Sequence, residues 1–171
     1  MRHRSFRTTR HLAISAFSLA LIIFTTGPVT AGKYAALEGV KGLDSVFDFV
    51  LASPKTATVV LPAIKGVHED ESVRALETPP RTVIVFHGGA TKLITTDRSG
   101  FEKAEHEALD QVAAMIRQFK QAGIKMEVCM YAVKVLGIDP ATLMPEIDQV
   151  GNGFISILGY QAQGYSVVTI P

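Results

Sequence analysis

The chain has 171 residues and a single cysteine, Cys129, the side chain best suited to covalent chemistry. It sits where the strand-like run Ile124-Lys-Met-Glu-Val128 gives way to the helix-like Met130-Tyr-Ala-Val-Lys-Val-Leu136. If Met130 opens a helix, unpaired backbone N–H groups and the positive end of the helix dipole lie beside the sulfur and favour a thiolate. The opposing reading is equally physical: cysteine is among the most often buried residues, and its apolar neighbours suit a small hydrophobe in packing. A second group with chemical potential is His87-Gly88-Gly89, which ends the apolar run Val83-Ile-Val-Phe86. An imidazole can orient a sulfur substrate or exchange a proton with a thiol near neutral pH, and paired glycines let backbone N–H groups approach an anion. A turn-capping histidine in a tight glycine turn explains the same three residues. Met130 and Tyr131 follow the cysteine and line any crevice there, as Lys134 and Tyr160 would, although residues at helical spacing also serve as packing.

Other chemistries lack their patterns. The histidines beyond the N-terminal stretch, His68, His87 and His106, are scattered, and neither C-x-x-C nor H-E-x-x-H spacing occurs, so no metal site is expected. Neither G-x-G-x-x-G nor G-K-[ST] is present, so no nucleotide cofactor is expected. Ser99, Ser156 and Ser166 lack the G-x-S-x-G setting of a hydrolase nucleophile.

The first 31 residues read as a signal peptide: Arg2, Arg4, Arg7 and Arg10 form a basic region, Leu12 to Phe24 an apolar one, and Val29-Thr-Ala31 a small-residue cleavage site. The apolar run is 13 residues long, short of the roughly 20 that span a bilayer, so cleavage is expected over retention as an anchor. Export through this signal places the protein in the periplasm. A lone thiol in such an oxidising compartment is buried, paired with another molecule, or used chemically. Taking four arginines from the 17 Lys plus Arg leaves 13, against 16 Asp plus Glu, a net charge of −3 for residues 32–171. A mildly acidic surface without a basic cluster excludes nucleic acid as an expected partner, and no polybasic segment remains to hold the protein on a membrane.

The elements that must position Cys129 and His87 follow from periodicity. Leu43 to Leu51 alternates as a strand, with Phe47, Phe49 and Leu51 opposite Asp48. Ser53-Pro54 is an N-cap with first-turn proline, opening a helix whose apolar stripe is Ala57, Val60, Leu61, Ile64 and Val67, with a kink expected at Pro62. Val83 to Phe86 is a continuous apolar strand, of the kind buried on both faces of a parallel sheet. A short helix and an exposed loop are expected within 90–101. Glu102 to Gln121 is the clearest helix, with Ala108, Val112, Met115, Ile116 and Phe119 on one face, acids early, bases late and Gly123 as terminator. A strand ending at Cys129, a helix to about Leu136, a short helix after Asp139-Pro140, a brief strand at 147–150, a well-buried apolar helix over 154–163 and a final strand over 165–170 complete the reading. Alternating strands and helices with short connections imply one α/β domain, a three-layer sandwich with a mostly parallel sheet of about five strands. Ligands in such folds bind beyond the carboxyl ends of the strands, where His87 and Cys129 fall.

Gly123-Ile-Lys-Met-Glu-Val-Cys-Met-Tyr-Ala-Val-Lys-Val-Leu-Gly-Ile-Asp-Pro140, together with Val150-Gly-Asn-Gly-Phe-Ile-Ser-Ile-Leu-Gly-Tyr-Gln-Ala-Gln-Gly-Tyr165, resembles the DsrE/DsrF-like family, close to its exported members. The similarity runs over about residues 43–170 and is most specific around the strand-end cysteine and the Gly-Asn-Gly segment, which adds Asn152 to the candidate binding residues. It implies a flavodoxin-like fold, assembly into homotrimers or hexamers, and no redox or nucleotide cofactor. In sulfur-relay members a cysteine matching Cys129 carries sulfur as a persulfide, so the resemblance implies a sulfur carrier or sulfurtransferase-like protein. The export signal departs from the cytoplasmic relay members and implies a different sulfur donor, linked to inorganic sulfur oxidation. The alternative is a non-catalytic oligomeric module that binds a small ligand or a protein and keeps its cysteine buried.

Overall fold

The computed structural model describes residues 34–171; the signal-peptide expectation falls outside them. Five strands form one sheet: β1 (Ser45–Phe49), β2 (Thr82–Phe86), β3 (Lys125–Cys129), β4 (Asp148–Val150) and β5 (Ser166–Ile170). Their order is β4-β3-β2-β1-β5 and every pairing is parallel, so the chain steps outward from β1 to β4 and then returns to the far side of β1. With its helices on both sides this is the expected flavodoxin-like α/β sandwich.

The strand pattern decides what each face holds. Phe47, Phe49, Ile84, Phe86, Met126 and Val128 alternate onto one face, where α1 (Pro54–Glu69) and α3 (His106–Gln121) cover them. Ala57, Leu61 and Ile64 from α1 meet Leu109, Val112, Ile116 and Phe119 from α3 in that core. At ~25 cal/mol for each Å² of apolar surface removed from water, this layer is the main source of stability. Ser53 caps α1 by accepting the Thr56 N–H at 3.3 Å. The helix continues through the expected kink position; Pro62 lies on the exposed side, where the N–H it lacks would have faced water. In α3 the buried stripe runs through Leu109 rather than Ala108.

The opposite face is covered by α5 (Gly153–Ala162), which crosses from β4 to β5 over β3, β2 and β1. Val46, Val83, Val85, Ile157 and Tyr165 form its small core. Here the sequence expectation of a well-buried helix is corrected. Only Gly153 and Ile157 are buried, while Phe154, Ile155 and Leu158 are 57%, 68% and 64% exposed. One helix about 10 Å wide cannot shield a five-stranded sheet whose strands lie ~4.8 Å apart, so its own outer side and the edge strand β5, with Val167 and Val168 part-exposed, stay open. Short α2 (Glu71–Arg74) and α4 (Met130–Val135) complete the helices, with 3-10 turns at Ala35–Leu37, Gly88–Ile94, Lys103–Glu105 and Pro140–Thr142. The short helix expected within 90–101 is the 3-10 turn directly after His87. Its end is tied to the segment beyond α4 by the Met144 N–H to Ile94 and the Thr96 N–H to Thr142, at 3.0 and 2.8 Å.

Candidate functional site

Cys129 is the last residue of β3 and the N-cap of α4, where the sequence places it. Residues alternate across a strand, so Lys125, Glu127 and Cys129 share the face beneath α5. Gly153, the first residue of α5, lies directly on the cysteine: a Cβ there would come 3.0 Å from the Cys129 Cβ, 3.5 Å from its Sγ and 3.2 Å from Val85 Cγ1. Glycine is what allows the helix start to settle this close. The result is a cysteine only 3% exposed, whose side chain makes no capping hydrogen bond to α4. The sulfur is therefore packed between the starts of two helices rather than presented to solvent.

His87 follows β2 in extended conformation and belongs to the same face as Val83 and Val85. Phe86 pairs with Val128, so His87 and Cys129 occupy the next row on neighbouring strands. In-row residues of parallel neighbours project to the same side, with strands ~4.8 Å apart. The His87 side chain is 11% exposed, bonds through Nε2 to the Asp48 carboxylate, and meets the Phe154 ring edge-on at 5.1 Å between centroids. Asp48 was missed as a partner because it is remote in sequence; register brings it in, since β1 and β2 pair Asp48 with Val85 and Phe49 with Phe86.

The remaining candidates divide. Gly88 holds φ at +54°, in the left-handed region that favours glycine, and a Cβ on Gly89 would come 2.7 Å from the Ala52 Cβ, so both glycines are needed by the turn itself. Asn152 caps α5 by accepting the Phe154 N–H at 3.0 Å. Tyr131 is 61% exposed and has its N–H bonded to the Gly151 carbonyl at 3.1 Å, which joins the start of α4 to the turn before α5. Met130 faces away from this group, into a groove of about 580 Å³ formed with Val133, Lys134, Gly137, Ile138, Asp139 and Pro140. The structure thus gathers Cys129, His87, Tyr131 and Asn152 around the entry to α5 and leaves Met130 apart.

A second polar group lies under the other end of α5. Glu127 is 3% exposed; its Oε1 accepts from Lys125 Nζ at 2.8 Å and from the Tyr160 hydroxyl at 2.6 Å, while Oε2 is buried with no partner. Burial pushes the Glu127 carboxyl up, but the bonds from Lys125 and Tyr160 outweigh it and hold the group below the usual carboxylate range. The same contacts, led by Glu127, raise Lys125, and burial together with Glu127 raises Tyr160. Among the described residues no group of three or more His, Cys, Asp or Glu is placed to hold a metal ion.

The family model for the DsrE/DsrF-like family matches residues 18–170. The chain belongs to the DsrE/DsrF-like family. No curated protein matches it in sequence. Among solved structures it is similar to MTH1491 of Methanobacterium thermoautotrophicum, described as a protein of unknown function, at TM-score 0.58 and 15% identity over 75% of this chain and 99% of that one. It is also similar to BT1422 of Bacteroides thetaiotaomicron, likewise of unknown function, at TM-score 0.50 and 16% identity over 74% of this chain and 95% of that one. At these identities the likeness shows that the DsrE/DsrF-like chain shares their fold.

Proposed function

We propose that this DsrE/DsrF-like protein is an exported, periplasmic sulfur carrier of the relay type, homo-oligomeric, with Cys129 as the sulfur-bearing atom. The observation that carries the reading is the placement of the chain's one thiol at the carboxyl edge of a parallel sheet, in one row with His87 and against the first residue of α5. In the transfer, the Cys129 thiolate attacks the outer, sulfane sulfur of a donor R–S–SH. A new S–S bond forms to Cys129 as the donor's S–S bond breaks, and the electron pair leaves on RS⁻, with no net oxidation. Close packing around Sγ then shields the persulfide from bulk thiols, and donor access requires the start of α5 to yield. Homo-oligomerisation is supported by the outer side of α5, where Phe154, Ile155 and Leu158 remain uncovered in the single chain.

Mass spectrometry of the protein after exposure to polysulfide tests the proposal. The expected result is a gain of one or more sulfur atoms on Cys129 that Cys129→Ser abolishes; an unchanged mass, or sulfur gained equally by the variant, ends it. The second reading, a non-catalytic binding module with a structural thiol, is favoured by the 3% exposure of Cys129. Alkylation only after denaturation would establish it.

A further inference from the structure

Asp48 and His87 form a carboxylate–imidazole pair one strand from the thiol, a grouping that neither the sequence resemblance nor a general sulfur-relay role specifies. We infer that Asp48 is a positioning residue that fixes His87 as the general base and acid serving Cys129. This rests on the proposed sulfur-carrier reading and deepens it.

The geometry runs through three neighbouring strands. Asp48 on β1, His87 after β2 and Cys129 at the end of β3 all project to the face under α5, and the His87 and Cys129 positions share a row. A carboxylate can only accept, so the Nε2 facing Asp48 carries the proton and Nδ1 of the neutral ring keeps a lone pair. Nε2 is committed to Asp48, whereas Nδ1 makes no hydrogen bond among the described residues, to Cys129 Sγ included, so the proton exchange takes place once the start of α5 has yielded to the donor. The backbone N–H of His87, bonded to the Phe49 carbonyl at 3.1 Å, and the Phe154 ring stacked edge-on fix the imidazole from two further sides. Such anchoring is what a proton-transfer group requires, because a freely turning ring spends little time in the productive orientation. The pair sits at the rim of the site: the His87 side chain is 11% exposed and that of Asp48 19%.

The proton balance closes with the transfer already described. His87 takes the proton from the Cys129 thiol, leaving a thiolate and an imidazolium beside Asp48. The thiolate attacks R–S–SH, and the imidazolium returns its proton to the departing RS⁻. The sum is Cys–SH plus R–S–SH giving Cys–S–SH plus R–SH, with His87 restored.

The test is a double-mutant cycle read by the rate of Cys129 alkylation with iodoacetamide in the native protein at neutral pH. Asp48→Asn and His87→Gln should each slow the reaction at least about tenfold. The double variant should be no slower than the slower single, since the two residues act as one unit. Asp48→Glu, which keeps the carboxylate, should recover part of the rate. Equal or faster alkylation in the single variants, or losses that simply multiply in the double, overturns the inference. If Asp48→Asn does not fold, His87→Gln and Asp48→Glu carry the same comparison. Sulfur loading of the wild-type protein is measured separately: its failure removes the carrier reading, whereas the alkylation cycle judges the Asp48–His87 pair alone.

Discussion

The two faces of the sheet are built on opposite plans. Beneath α1 and α3, each 16 residues long, lie phenylalanine, isoleucine, methionine and valine with no charge among them. Beneath the single ten-residue α5 lie Asp48, His87, Lys125, Glu127 and Cys129 around a core of five residues. The first face stabilises the domain; the second spends apolar area on polar groups and leaves its covering helix greasy on the outside. Ionisable side chains, the one thiol and uncovered apolar surface thus fall on the same side of one sheet, and a functional role for that side follows more readily than for the sealed one.

The comparison can be broken at its strongest point by emptying the sealed face. Phe119→Ala should cost about 3–5 kcal/mol in urea unfolding, as expected for an aromatic lost from a close-packed core; a loss under 1 kcal/mol would mean that this layer is not the stabilising one. On the other face, Gly153→Ala should cost about 1–3 kcal/mol, because the added methyl must displace Val85 or Cys129. The same measurement reads it, and a neutral result would show that α5 does not rest on the cysteine. Glu127→Gln should cost a similar 1–3 kcal/mol by removing the charge that Lys125 and Tyr160 solvate.

Acid sharpens the point about Glu127. Its folded pKa is depressed, so its contribution is fully present above the unfolded value of about 4.3 and is lost as pH falls through the lower folded value. Stability measured from pH 6 down to 3 should therefore decline less steeply at its acid end in Glu127→Gln than in the wild type; parallel curves would refute the assignment. The smallest effect on the fold belongs to Ile155→Glu, expected within about 0.5 kcal/mol for a surface change. It should nevertheless shift the protein to a smaller species by light scattering, and an unchanged mass would remove the α5 surface from any assembly.

What could be read in the sequence follows the same divide. β1 and α3 were legible because burial on one side imposes a strict period, as in Phe47, Phe49 or Val112, Ile116, Phe119, and β2 because burial on both sides leaves a continuous apolar run. The turn at Gly88-Gly89 and the strand-end position of Cys129 were legible from residue type. The exposure of α5 was not: Phe154-Ile-Ser-Ile-Leu reads equally as a helix sunk in a core or as one whose cover comes from outside the chain. Nor was Asp48, because the partner of His87 is chosen by the parallel register of β1 and β2, which no local pattern encodes. Lys125 and Glu127 left a trace, two charges at alternate positions of an apolar strand, but their third member, Tyr160, comes from α5 on the far side of a crossover.

The pairing of β5 with β1 makes the earliest strand wait for the latest one. Until the segment at Ser166–Ile170 docks, the flank of Ser45–Phe49 has open amides and carbonyls along its whole length, so folding is expected to be governed by this distant closure more than by helix formation. Enlarging or clipping the carboxyl end should then slow maturation and invite strand-to-strand aggregation even where the face under α5 is untouched.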